Sequence, residues 1–193
     1  MGVFRKRTPR RQIILRIVAA HGEHRADLRK DFMRRCGYCD DIDTWRFAWF
    51  EIDHFVPRKH LVTIKSTDYN NLVYSCRSCN NAKRAAWPTK SETLHHENDA
   101  GFIDPCKDDY NDQFTRSTSG RIIPATRLGQ WMYNKLKLYK PQHEIIWNIE
   151  ELDTLISECK ALLATLPEGK VKDRLLLLHD EYWKYTKQLG DIN

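Results

Sequence analysis

Apolar side chains recur at helical spacing in the N-terminal part of the chain. In segment 12–20, Ile14, Ile17 and Val18 would share one face, which predicts a short helix. In segment 23–35, the apolar positions again fall on one side, which predicts a second helix. The chain is therefore expected to begin with a basic arm followed by two helices.

A different pattern follows. Aromatic and β-branched residues are concentrated at 45–52, which predicts a strand that ends before Pro57. A short apolar segment at 72–74 predicts a second strand. The residues from 76 to 86 then predict a helix, which Pro88 stops. The expected order is strand, strand and helix.

The rest of the chain divides in two. Residues 91–141 are mostly polar, which predicts an irregular connector with one helix at 125–138, packed on the preceding part. Residues 142–193 have apolar side chains at heptad-like spacing, which predicts an antiparallel helical hairpin turning at 167–169. These positions are Ile149, Leu152, Ile156, Cys159 and Leu163, then Leu175, Leu178, Tyr182, Tyr185 and Leu189.

Composition limits the class of protein. At 193 residues with 41% hydrophobic residues, the chain is long enough for one domain with a substantial appendage. It has no apolar run of the roughly 18 residues that span a bilayer. Its first residues lack the apolar stretch of a signal peptide. We therefore expect a cytoplasmic protein that does not enter a membrane.

The net charge of +6 is unevenly distributed. Residues 1–90 contain 19 Lys and Arg against 9 Asp and Glu, whereas residues 91–193 contain 13 against 17. A basic half beside a mildly acidic half is typical of a protein that binds a polyanion at one end. A solvated charged surface would give the same count, so charge alone does not decide between the two.

Four of the six cysteines form two C-x-x-C pairs, Cys36 with Cys39 and Cys76 with Cys79. Four thiolates in two tight pairs can complete a tetrahedral zinc site. A site with four protein ligands has no open coordination position, so its role would be structural. The remaining cysteines, Cys106 and Cys159, are interpreted as ordinary buried thiols.

The dipeptide Asp53-His54 lies between the two cysteine pairs. A neutral imidazole such as His54 can accept a proton from water, while the carboxylate of Asp53 suits Mg²⁺ or Mn²⁺. Asn80, at the start of the predicted helix, offers a second oxygen ligand. Since side chains alternate along a strand, base and ligand can face one phosphate only if the chain bends at this point.

The residues E-I-D-H-F-V-P at 51–57 and N-N-L-V-Y-S-C-R-S-C-N-N-A-K at 70–83 resemble the HNH endonuclease family and its ββα-metal motif. The resemblance implies that His54 is the general base and that Asp53 and Asn80 hold one divalent cation. It implies that Asn71 braces the loop that directs His54. Asn80 replaces the usual final histidine, as in HNN variants, and the neighbouring Asn81 also fits the second ligand position.

Further motifs resemble HNH proteins associated with bacterial phage defence. They include D-H-F-V-P at 53–57, Trp87-Pro88, I-D-P-C at 103–106 and G-R-I-I-P at 120–124. In systems of the Septu kind, such a protein works with an ATPase. The resemblance therefore implies an ATPase subunit as a partner, which the C-terminal hairpin would bind.

The sequence thus predicts an α+β protein with a ββα-metal core. Its expected domains are the arm and helices at 1–35, the nuclease core at 36–90, the connector at 91–141 and the hairpin at 142–193. The predicted function is metal-dependent endonuclease cleavage of DNA, with structural Zn²⁺ and catalytic Mg²⁺ or Mn²⁺. Phosphate contacts are expected from Arg58, Lys59, Lys83 and Arg84.

Two other functions remain open. A non-catalytic zinc module that binds nucleic acid would keep the four cysteines and the basic half. It would have no reason to keep Asp53, His54, Asn71 and Asn80 together. A subunit that chiefly binds a partner protein through its hairpin is compatible with the nuclease interpretation.

Overall fold

The computed structural model describes residues 2–46, 49–163 and 169–192. The chain forms two compact units. The first includes the chain up to Thr118 and again from Ile122 to Tyr139, and the second includes Ser119–Arg121 and the chain from Lys140 onward. All the residues singled out as candidate site residues belong to the first unit.

The predicted order of two strands and a helix is confirmed. Strand β2 (Phe50–His54) pairs antiparallel with β3 (Leu72–Cys76), and helix α2 (Arg77–Lys83) follows β3 directly. β3 is buried along its whole length, which agrees with the apolar segment predicted at 72–74. The predicted first strand at 45–52 includes residues 47–48, which lie outside the described residues, and Trp45 lies in a turn.

The prediction of a helix at 12–20 is wrong, because this segment contains no helix in the structure. The segment is instead held by contacts along its length. The backbone N–H of Gln12 donates to Asp31 at 2.7 Å, and Arg16 donates to the carbonyl of Glu23 at 2.8 Å. These contacts outside the segment outweigh its weak helical pattern, and Ile13 is left exposed.

The helix predicted at 23–35 is shorter than expected. A 3₁₀ turn (His21–His24) leads into α1 (Arg25–Asp31). Met33 and Arg34 have φ angles of 54° and 63°, in the left-handed region, so the chain leaves the helical path there and turns toward Cys36.

The connector is more ordered than its composition predicts. Gly2–Val3 at the N-terminus (β1) pairs with β6 (Phe114–Arg116), and β6 pairs with β7 (Ile122–Pro124), so the connector forms a three-stranded sheet with the start of the chain. The predicted helix at 125–138 is confirmed as α3 (Arg127–Leu136). The connector strands are β4 (His96–Glu97), β5 (Ala100–Gly101), β6 (Phe114–Arg116) and β7 (Ile122–Pro124).

A hydrophobic core lies inside the first unit. It combines residues from the ββα elements with residues from the start of the chain and from the connector. Members from these distant segments include Phe4, Tyr38, Leu72, Phe102 and Met132. The connector therefore supplies part of the core on which the ββα elements pack.

The second unit contains two long helices, α4 (Pro141–Leu163) and α5 (Gly169–Asp191). Leu152 and Ile156 of α4 pack against Leu178 of α5, which confirms the expected helical pair. The predicted turn at 167–169 lies outside the described residues except for Gly169. Within the described ranges, no helix is both long and apolar enough to cross a bilayer.

Candidate active site

The four paired cysteines meet in one buried cluster. Cys36 and Cys39 flank a tight turn before β2, Cys76 ends β3, and Cys79 lies in the first turn of α2. Their sulfur atoms all lie within 4.8 Å of one another, and Cys39 Sγ is 3.7 Å from Cys76 Sγ. Tetrahedral zinc with Zn–S bonds of roughly 2.3 Å separates its sulfur ligands by about 3.8 Å. The cluster therefore fits a zinc ion.

The turn between the first two cysteines is held by side chains from distant segments. The three backbone carbonyls of residues 37–39 each accept a hydrogen bond. Their donors, in order, are Arg5 Nη1 at 3.2 Å, Tyr110 Oη at 2.8 Å and Arg116 Nη2 at 2.9 Å. Arg5 is buried. This residue of the basic arm thus braces the cysteine turn, a role that sequence reasoning missed.

Asp53 is buried, and its polar contacts with the described residues are made through one oxygen. Its Oδ2 accepts a hydrogen bond from Tyr38 at 2.6 Å and lies 2.8 Å from Lys83 Nζ. The Lys83 ammonium also donates to the carbonyl of His54 at 2.9 Å. Lys83 is fully buried. The prediction that it contacts phosphate is therefore wrong, because its charge is enclosed within the protein and neutralised by Asp53.

Asn80 lies on the same face of α2 as Lys83, one helical turn earlier. Its Nδ2 donates to Oε2 of Glu51 at 2.7 Å, and Arg77 Nε donates to Oε1 of Glu51 at 2.7 Å. Glu51 and Asp53 share one face of β2, because they are two residues apart. The contacts thus bring Asp53 and Asn80 to the same strand–helix groove. Glu51 was not identified from the sequence as a functional residue.

His54 ends strand β2, and the chain bends at the next residue, Phe55. Its Nε2 is 2.8 Å from the carbonyl oxygen of Ser66. Since a carbonyl can only accept, Nε2 carries the proton in the neutral ring, and Nδ1 has the free lone pair. Burial lowers the pKa of His54 below its ordinary value; the Ser66 carbonyl opposes this shift, and His21 adds to it.

Asn71 lies immediately before β3, opposite the bend that follows His54. Its side chain forms a pair of hydrogen bonds with the backbone of Val56, accepting from the N–H at 2.8 Å and donating to the carbonyl at 3.0 Å. Its own carbonyl accepts from the N–H of Phe55 at 2.8 Å. Asn71 therefore fixes the backbone of the two residues after His54.

The loop that contains Ser66 is held by Glu92. This carboxylate accepts hydrogen bonds from the backbone N–H groups of residues 62–64 and from the hydroxyl of Thr63. These bonds, the one from Ile64 foremost, lower the pKa of Glu92 to about 2 despite some desolvation. Sequence reasoning missed this residue, because its contacts are about thirty positions away.

The other predicted phosphate contacts are at the surface. Arg58, Lys59 and Arg84 are exposed, and so is Asn81, the other candidate ligand. Arg58 and Lys59 belong to a 3₁₀ turn just after the bend that follows His54. Arg84 follows α2 directly. The cationic side chains are thus accessible, unlike that of Lys83.

The comparisons with known proteins agree with this arrangement. Residues 36–86 match the HNH endonuclease family. This range includes all four clustered cysteines together with Asp53, His54, Asn71 and Asn80. No curated protein and no solved structure matches the chain. By this match, the segment built from the cysteine cluster, β2, β3 and α2 is similar to HNH endonuclease domains.

Proposed function

We propose that the protein is a metal-dependent endonuclease that hydrolyses phosphodiester bonds of DNA. One structural observation carries the proposal. The face of α2 with Asn80 and Lys83 packs on the face of β2 with Glu51 and Asp53. Two oxygen donors thereby share a groove at the end of the strand where His54 is held.

In the proposed reaction, His54 activates the attacking water. Its Nδ1 accepts a proton from that water, because Nε2 is engaged by the carbonyl of Ser66. Burial lowers the pKa of His54, so the neutral, basic form predominates near neutral pH. The hydrogen bonds of Asn71 to Val56 keep the adjoining backbone in place.

Asp53 and Asn80 are proposed to hold the catalytic cation. Asp53 can offer Oδ1, because Tyr38 and Lys83 both use Oδ2. Asn80 can offer its side-chain carbonyl, because its amide nitrogen donates to Glu51. Oxygen ligands of this kind suit Mg²⁺ or Mn²⁺. When bound, such a cation stabilises the negative charge on the leaving 3′ oxygen.

The four-cysteine cluster is proposed to bind structural zinc. It connects the 36–39 turn to the junction of β3 and α2, so a metal there would fix α2 relative to the strands. Exposed Arg58, Lys59 and Arg84 would contact DNA phosphates, which gives affinity without sequence readout.

The biological role that we propose is anti-phage defence in the cytoplasm. It is supported by the resemblance of the motifs at 53–57, 87–88, 103–106 and 120–124 to Septu-type HNH proteins. The same resemblance is the reason for proposing an ATPase partner that binds the C-terminal helices.

A plasmid assay tests the proposed activity. Supercoiled plasmid should be nicked or linearised with Mg²⁺ or Mn²⁺ and left intact with EDTA. His54→Ala should lower the rate by about 10²- to 10⁴-fold, because general-base catalysis is lost, while DNA binding is retained. His96→Ala is the matched control, since His96 is exposed on β4. Wild-type cleavage by His54→Ala, or cleavage without a divalent cation, would contradict the proposal.

A further inference from the structure

A second imidazole lies beside His54. The ring of His21 contacts the ring of His54 edge to face, with centroids 4.7 Å apart and planes inclined at 63°. His21 is outside the residues that match the HNH family, 36–86. It comes from the 3₁₀ turn that precedes α1. The N-terminal part of the chain therefore adds a histidine to the candidate nuclease centre.

The turn that contains His21 is fixed from several sides. Glu23 Oε1 accepts from the backbone N–H groups of Ala19 and Ala20 at 3.0 and 2.8 Å. Arg16 donates to the carbonyl of Glu23 at 2.8 Å. These bonds hold the backbone on both sides of His21. A residue presented on a braced turn loses little conformational freedom when it binds a ligand.

The next histidine anchors the same turn in the protein. His24 is buried, and its ring packs on Tyr69 with centroids 5.0 Å apart. The hydroxyl of Tyr69 donates to Asp31 in α1 at 2.7 Å. The turn is thus joined both to α1 and to the segment just before β3. His21 keeps its place beside His54 through these contacts.

The imidazole of His21 is itself uncommitted. It is only partly buried, and within the described ranges neither of its ring nitrogens has a hydrogen-bond partner. A water activated by His54 would lie within about 3 Å of Nδ1 of His54. The reacting phosphorus would lie about 3–3.5 Å from that water. A ring in direct contact with His54 is within reach of a phosphate placed at that distance.

We infer that His21 is a further catalytic residue of the nuclease centre, which donates a hydrogen bond to a non-bridging oxygen of the scissile phosphate. The inference rests on the proposed function. Such a bond would strengthen as negative charge builds up on the phosphate, so it would contribute to the cleavage step more than to DNA binding. A ring that only packed on His54 would need no nitrogen atom.

Four variants of the full-length protein separate these roles. His21→Phe keeps a ring against His54 but removes both nitrogens. His21→Asn restores a hydrogen-bond donor near the position of Nδ1, and His21→Gln restores one near the position of Nε2. His96→Phe is the control for adding a phenylalanine at an exposed histidine. Single-turnover nicking of supercoiled plasmid is measured at increasing protein concentration, which gives the maximal rate and the half-saturating concentration separately.

The inference predicts that His21→Phe lowers the maximal rate by about 10- to 100-fold, as expected for loss of a hydrogen bond to a charged group. The half-saturating concentration should change little. At least one of His21→Asn and His21→Gln should be several-fold faster than His21→Phe. A wild-type rate in His21→Phe, or no gain in either amide variant, would overturn the inference.

Folding defects are separated by circular dichroism and by zinc content. In the wild-type protein, addition of an uncleaved phosphorothioate oligonucleotide with Ca²⁺ should shift the ¹⁵N ring resonances of His21 but not those of His96. Unshifted His21 resonances in the bound complex would also overturn the inference.

Failure of the proposed function gives a different result from failure of the inference alone. If the proposed function fails, His54→Ala and the wild-type protein give the same result in the plasmid assay. If only the inference fails, His54→Ala is inactive while His21→Phe cleaves normally.

Discussion

Lys83 Nζ lies 2.8 Å from Oδ2 of Asp53 and 2.9 Å from the carbonyl oxygen of His54. This fully buried ammonium thus connects α2 to the two consecutive residues at the end of β2. The rings of Trp87 and Phe102 lie 5.9 and 5.6 Å from it, which adds favourable cation–π contact. This cation is one of the contacts that align the helix with the strand end, beside those of Asn80 and Arg77 with Glu51.

Replacement of this lysine should destabilise the protein. Lys83→Met leaves the buried carboxylate of Asp53 without its cation, which typically costs about 3–5 kcal/mol in unfolding free energy. Urea denaturation measures the loss. Lys59→Met is the matched control, because Lys59 is exposed, and it should leave stability nearly unchanged. Equal stability of the two variants would show that the buried ion pair contributes little.

Zinc should be present at about one ion per chain, because four cysteines complete one tetrahedral site. Cys79→Ser should lose zinc and unfold more easily, since binding of a structural metal contributes to folding free energy. Cys159→Ser, a substitution outside the cluster, should retain zinc. Elemental analysis and thermal denaturation check both variants. A folded, zinc-free wild-type protein with four reactive thiols would contradict the assignment.

Asn80→Ala and Asp53→Ala should weaken the catalytic cation without releasing zinc, because oxygen and thiolate ligands prefer different metals. The measurement is the Mn²⁺ concentration that gives half-maximal nicking, together with zinc content. High Mn²⁺ should partly restore cleavage by Asn80→Ala. Unchanged metal dependence in that variant would transfer the ligand role to Asn81 or to another residue.

Glu51→Ala should raise the required Mn²⁺ concentration as well. Its carboxylate orients the amide of Asn80, and loss of such a supporting hydrogen bond typically costs about 10- to 100-fold in metal affinity. The effects of Glu51→Ala and Asn80→Ala should be less than additive, because they act on one interaction. Glu97→Ala, at an exposed acidic residue of β4, should have no effect. Full additivity would exclude orientation of Asn80 by Glu51.

Truncation should separate the two units. Deletion of residues 142–193 removes α4 and α5, which pack on each other through Leu152, Ile156 and Leu178. The truncated protein should stay folded, retain zinc and nick DNA, but should no longer co-purify with a partner. Unfolding of the truncated protein would make the helical pair part of the nuclease fold, and the partner proposal would lose its support.

The sequence by itself determined the features that depend on short spacing. A C-x-x-C pair brings two sulfur atoms together within one turn, so Cys36, Cys39, Cys76 and Cys79 were sufficient to predict the cluster. The order of the ββα elements was predicted from the aromatic and β-branched residues at 45–52, the apolar segment at 72–74 and the helix expected from Cys76 onward. The heptad pattern predicted the helical pair in the same way, because helical periodicity is a local property.

Only the tertiary structure decided which distant side chains complete the candidate site. Lys83 was expected to contact phosphate, but a carboxylate and a carbonyl inside the protein bind its charge. Arg5 supports the cysteine turn, and His21 packs on His54, through contacts between segments far apart in the chain. Residue type and spacing specify what a side chain can do chemically. The folding of the whole unit determines which partners it meets.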